Sequence, residues 1–147
     1  MKNILICTVL IGLIISCNNP KKPKEEATST SADLAVEAEK LSKEFIIVDG
    51  HVDLPYRLHS KMEDVSVQTP GGHFDYVRAK KGGLDAPFMS IFIPADFENN
   101  GAMKLAEELI ASVEKLCTDH PDKFALARTP QEIKSNFAKG LISLPMG

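Results

Sequence analysis

The chain contains no tryptophan, only three cysteines and no excess of positive charge, and each shortage removes a class of function. With 17 basic against 20 acidic side chains the formal net charge is −3, so no broad positive field exists for gripping nucleic acid. No stretch approaches the roughly 20 apolar residues that a membrane-spanning helix needs. Nine glycines and nine prolines, without any repeat, exclude collagen-like and proline-rich chains. What is present, 44% apolar and 25% charged residues over 147 positions, is the composition of one ordinary soluble domain able to bury a core.

The N-terminus reads as an address. After Met1-Lys2-Asn3, residues 4–15 are almost wholly apolar for 12 positions, the length of a signal-peptide core and too short for a span. Ile14-Ile15-Ser16-Cys17 follows and resembles the bacterial lipobox, in which a cysteine thiol accepts lipid. Residues 1–16 are therefore expected to be removed and Cys17 to become a lipidated N-terminus, with Asn18 favouring the outer membrane. An ordinary secretory signal with an incidental cysteine is the alternative. Removal of one lysine and no acid leaves 16 basic against 20 acidic groups, a balance of −4. Cys7 departs with the signal, so Cys117 alone remains in the body and no disulfide forms within one chain. Cys117 lies on an apolar helical face and reads as a buried hydrophobe rather than a nucleophile.

Residues 17–31 form a polar tether, with two prolines and a Ser/Thr cluster but no large apolar side chain to offset the entropy of ordering. From Ser31 the pattern predicts a short helix carrying Leu34, Ala38, Leu41 and Phe45 on one face and a Glu39–Lys43 pair on another. Phe45-Ile46-Ile47-Val48 has the composition of a strand covered on both faces. Residues 62–83 read as loop with one helical turn near Tyr76 to Ala79, and Ala86 to Pro94 as a second buried strand. A helix starts after Gly101 and runs to about Cys117 with Leu105, Leu109, Val113 and Leu116 inward. Thr129-Pro130-Gln131-Glu132 is a capping box opening a helix that ends at Gly140. Leu141 to Pro145 is a third buried strand. This alternation belongs to a parallel α/β sheet. A complete eight-unit barrel needs about 250 residues, so residues 32–147 are expected to be the first part of a longer domain.

The chemistry lies directly after the first strand, in Val48-Asp49-Gly50-His51-Val52-Asp53-Leu54-Pro55. Residues two apart in extended backbone face the same side, so His51 and Asp53 project together from the strand's carboxyl end, where parallel α/β folds place their sites. One imidazole nitrogen and one carboxylate make half of a zinc site, whereas a loop histidine beside an Asx-turn aspartate is the bland alternative. Asp49 packs or hydrogen-bonds at the edge of the apolar run. His59 and His120 lack ligand spacing and read as solvated.

The wording resembles the membrane dipeptidase family of zinc peptidases, whose first strand ends in a D-G-H-N-D-L-P type motif. Here Val52 stands where that family often has Asn. Gly82-Gly-Leu-Asp-Ala-Pro-Phe-Met-Ser-Ile-Phe-Ile-Pro94 is similar to its G-G-x-x-x-Q-F-W-S-x-Y-x-P strand, and His73-Phe-Asp75-Tyr-Val-Arg78 to its H-x-D-x-P-R segment. The resemblance implies a (β/α)8 TIM-type barrel, of which this chain holds about three strands. It also implies two Zn²⁺ ions joined by a carboxylate and a hydroxide, and dipeptide substrates. Only His51 and Asp53 carry over, as ligands of one zinc; His73 reads first as a surface histidine in a Gly-rich loop, with an outer-sphere or substrate-loop role as the alternative. The bridging glutamate, the other histidine ligands and the catalytic residues are expected beyond Gly147, which makes this chain inactive alone. A homodimer is compatible with the resemblance. Two other functions fit the same residues: a lipid-anchored binding protein without catalysis, and a metal-dependent amidohydrolase acting on another amide.

Overall fold

The structure is a computed structural model that describes residues 30–147, so the expected signal segment, Cys17 and all but the last two positions of the expected tether lie outside the described residues. Thr30 caps helix α1, Ser31–Glu44, and Ser31 is its first residue. The Thr30 hydroxyl accepts from the Asp33 amide at 3.2 Å while the Asp33 carboxylate accepts from the Thr30 amide at 3.0 Å, a reciprocal cap. No α1 side chain is buried. The expected Glu39–Lys43 pair gives way to a longer reach: Lys43 Nζ donates to the carbonyls of Lys80, at 2.7 Å, and Lys81, at 3.1 Å. Those carbonyls end helix α3, Tyr76–Gly82, where the negative end of the helix dipole attracts a cation. Gly83 follows at φ 78°, and a side chain there would collide with the Ser42 backbone of α1.

Strand β1, Ile47–Val52, pairs in parallel with β2, Leu84–Met89. Its covering differs from the sequence expectation. All of β1 is exposed except half-buried Val52, because among the described residues β2 alone borders it in the sheet and the apolar side chains of α1 do not cover it. The Ile47 amide at its start donates to buried Asp85 Oδ2, at 3.0 Å, so a β2 side chain supplies an acceptor for the opening of β1. β2 starts two residues earlier than expected and leaves the ladder at Met89, after which Ala95–Phe97 makes a short 3-10 turn.

Two elements escape the sequence patterns. Helix α2, Leu54–Ser60, follows β1 immediately, and strand β3, Phe124–Leu126, is only three residues long. The strand expected third is therefore β4, Ile142–Leu144, wholly buried and parallel to β3. The two ladders join through Met89 N to Pro145 O, at 2.7 Å, Gly147 N to Met89 O, at 3.2 Å, and Ile91 N to Gly147 O, at 2.9 Å. The resulting order is β1-β2-β4-β3, every pairing parallel.

Helix α4, Ala102–Asp119, buries Leu105, Leu109 and Val113 as their spacing predicts. Leu54 and Leu58 of α2, Val65, Phe74, Met89, Phe124 and the β4 pair Ile142 and Leu144 complete the core around Val113. Helix α5, Pro130–Ala138, carries the predicted capping box. Its Asn136 Nδ2 donates to Ser143 Oγ, at 3.1 Å, and to Leu126 O, at 3.3 Å, tying the helix to both β3 and β4. Thr129→Ala removes one acceptor from the first turn of α5 and is expected to lower stability by about 1 kcal/mol in urea unfolding. An unchanged midpoint would show that Glu132 caps the turn alone.

Candidate metal centre

The site begins where the β1 run ends. Asp49 Oδ1 accepts from the His51 amide at 3.0 Å, which fixes the backbone from which the imidazole projects. Asp53 is no longer in the strand: it is the N-cap of α2, with φ −77° and ψ 32°. An aspartate there ordinarily accepts from the first helical amides, yet Asp53 makes no such side-chain bond. Its Oδ1 lies 3.1 Å from His51 Nε2 instead. The two groups meet as expected, but a chain turning into a helix brings them together rather than an extended strand.

A cavity of about 370 Å³ opens beside the pair, and its lining includes Asp49, His51 and Asp53 together with Arg57, Gly72, His73 and Phe74. Both members of the pair are about two-thirds exposed to it and to solvent, at 67% and 61%. His73 thus shares the cavity with the expected metal ligands. The reason lies two residues further on. Asp75 is fully buried and accepts from the amides of Arg78, at 2.8 Å, and Thr69, at 3.1 Å, while its Oδ2 takes the Arg78 Nε at 2.7 Å. Arg78 in turn donates to Gly72 O at 2.7 Å and Gly71 O at 3.1 Å. In the His73-x-Asp75-x-x-Arg78 segment, the aspartate and arginine staple the loop and the histidine is left to face the cavity. Burial alone would raise the Asp75 pKa, but the two amides and the guanidinium outweigh it and hold the carboxyl at about 2, below its ordinary 3.8.

The donor chemistry suits part of a divalent-cation site. A neutral imidazole nitrogen and a carboxylate oxygen 3.1 Å apart can share one ion with bonds of about 2.0–2.2 Å. Among the described residues no group of three His, Cys, Asp or Glu side chains is placed to hold a metal, so the pair fits as two ligands of a set. Cys117 does not compete: half-buried beside the core, its thiol is pushed up to about 11 by burial and then by Glu114. His59 is exposed and stacks on Tyr56, its Nδ1 3.9 Å from Glu108. His120, expected to be solvated, is half-buried edge-on to Phe124 because the end of α4 folds back onto β3. Sequence reasoning missed Arg57 and the Asp75–Arg78 staple. The i,i+3 spacing of an acid before a helix was the available signal for the staple.

A family model described as membrane dipeptidase (peptidase family M19) matches residues 35–147. The chain belongs to the membrane dipeptidase family. Mouse (Mus musculus) Dipeptidase 3 is 31% identical over 94 residues, covering 60% of this chain and 19% of its own. Dipeptidase ataJ of Aspergillus terreus is 24% identical over 125 residues, 76% of this chain and 30% of its own. Among solved structures, the "probable dipeptidase PvdM" of Pseudomonas aeruginosa has a similar fold, with TM-score 0.70 at 18% identity over 80% of this chain and 31% of its own. A Rhodobacter sphaeroides metallopeptidase, liganded with a phosphinate mimic of L-Ala-D-Ala, gives TM-score 0.59 at 23% identity over 69% and 37%. This membrane dipeptidase segment spans between about a fifth and two-fifths of the length of these relatives.

Asp75→Asn should destabilise the chain by about 1–3 kcal/mol at neutral pH, since charge-assisted bonds are lost from a buried site. The folded pKa is depressed, so the contribution of the carboxylate is complete above 3.8 and drains away as pH falls towards about 2. Urea unfolding of both chains across that range should show their gap narrowing in acid. A gap that does not change with pH would contradict the ionised staple.

Proposed function

We propose that this chain is the opening segment of a zinc-dependent, lipid-anchored dipeptidase, and that His51 and Asp53 are two of its metal ligands. The observation that carries the reading is the Asp53 carboxylate, turned from its helix cap to the imidazole of His51 at the carboxyl end of β1. Family membership and the fold support it. The pairing is parallel throughout, as in a (β/α)8 barrel, although β4 stands between β2 and β3 rather than after β3 as consecutive barrel strands do, and strand carboxyl ends are where such barrels do chemistry.

Zinc, when bound, would polarise a scissile carbonyl and lower the pKa of a water towards neutrality. This chain's own part is to hold and to shape. His51 Nε2 and Asp53 Oδ1 supply one neutral and one anionic donor. Asp49 restrains the His51 backbone, and the first turn of α2 fixes Asp53 through the Arg57 amide, which donates to Asp53 O at 3.1 Å. His73 and Phe74 line the same cavity, where a dipeptide would lie. Cys17 would carry the lipid, releasing the chain from membranes when changed to Ser.

With only two donors among the described residues, the 147-residue chain is expected to hydrolyse no dipeptide above the buffer rate, even with added zinc. A product carrying this segment at the length of its relatives should hydrolyse dipeptides such as L-Ala-D-Ala. His51→Ala in that longer product should lower kcat by more than the roughly 10–100-fold that loss of an outer-sphere partner costs. Turnover retained in that variant would remove His51 from the ligand set.

A further inference from the structure

We propose that Arg57 is a positioning residue that clasps the Gly72–Phe74 segment and so keeps His73 at the cavity it shares with the His51–Asp53 pair. The inference rests on the reading of that pair as the metal-binding end. Arg57 sits one helical turn after Asp53, and its amide donates to the Asp53 carbonyl at 3.1 Å, so its backbone moves with Asp53. Its side chain reaches the loop. Nη2 donates to the Phe74 carbonyl at 3.3 Å and lies 3.4 Å from Glu63 Oε2, which balances its charge.

Gly72 makes the fit close. Its φ is 72°, and a Cβ at that position would overlap the Arg57 guanidinium, so the loop backbone comes close to the Nη1 end of the side chain. Arg57 Nε is buried without a hydrogen-bond partner. A lone buried donor is unfavourable, which indicates that the guanidinium is held by the shape of the loop and by its Nη2 contacts rather than by saturation of its donors. Charge alone does not account for this arrangement. Nη2 alone makes both polar contacts, to Glu63 and Phe74, while the rest of the guanidinium fills the space beside Gly72, and a lysine ammonium lacks the planar group that fills it.

The consequence is a rigid path along the cavity lining: Asp53 carbonyl, Arg57 amide, Arg57 guanidinium, Phe74 carbonyl, with His73 adjacent to the last. The Asp75–Arg78 staple fixes the loop itself, and the clasp fixes how near it stands to α2.

Cobalt(II) added to the full 147-residue chain tests the clasp. Bound at His51 and Asp53, the paramagnetic ion should broaden the NMR signals of Val52 and of the His73 ring. Arg57→Gln and Arg57→Lys should both reduce the broadening at His73 several-fold and leave it unchanged at Val52. Backbone amides of Gly72 and His73 should exchange with solvent on the order of tenfold faster in both variants, while core amides of β4 stay protected. Equal broadening at His73 in the native chain and both variants would overturn the proposal, as would rescue by Lys. If cobalt broadens neither residue in the native chain, the metal reading falls instead, and exchange at Gly72 and His73 decides the clasp: unchanged rates overturn it, faster rates sustain it. Gly72→Ala, which displaces the guanidinium from the opposite side, should reproduce the faster exchange should the Arg57 variants fail to fold.

Discussion

Asp53 stands where an aspartate ordinarily satisfies the first amides of a helix, and its carboxylate faces the Nε2 of His51 instead, 3.1 Å away. Local stability is set aside at that point, because an N-cap bond contributes about 1 kcal/mol. Departures of this kind from local preference concentrate at functional sites. The rest of the site is arranged around the contact. Asp49 restrains the strand before it, α2 continues the chain after it, and the cavity opens beside it.

Two kinds of support keep the Gly72–Phe74 segment in place, and they differ in what they need from the solvent. The Asp75–Arg78 staple is electrostatic and buried, a carboxylate held by two amides and a guanidinium. The packing of Arg57 under Gly72 is steric, with only one direct hydrogen bond to the loop. Together they give a loop with little regular structure a defined position beside the cavity, as pre-organised sites require. The sheet beneath is continuous only because Met89, Ile91, Pro145 and Gly147 bridge the two ladders beyond their regular ends.

The elements readable in the sequence were those with long apolar periods or complete end signals: α4 with its inward Leu105, Leu109 and Val113, α5 with its capping box, and buried β4. β3 was not readable, since Phe124-Ala125-Leu126 is too short to show a period of two. α2 was hidden because its N-cap residue does not cap, so the usual start signal coincided with the ligand motif. β1 misled about covering. Its composition describes a strand enclosed on both faces, while the described residues enclose only part of it. At the site, His51 and Asp53 were legible from spacing and resemblance. Arg57 was not, because its role depends on a loop about 15 residues away whose approach is set by Gly72 and by the Asp75–Arg78 staple.

The central claim is that one imidazole and one carboxylate at the end of β1 bind the same cation. Crystals of the chain soaked in zinc and recorded at the zinc absorption edge test it most directly. The account requires an anomalous peak about 2.0–2.2 Å from both His51 Nε2 and Asp53 Oδ1. Zinc bound at His59, His120 or Asp64, with the His51–Asp53 contact unbroken and no density beside it, would contradict it.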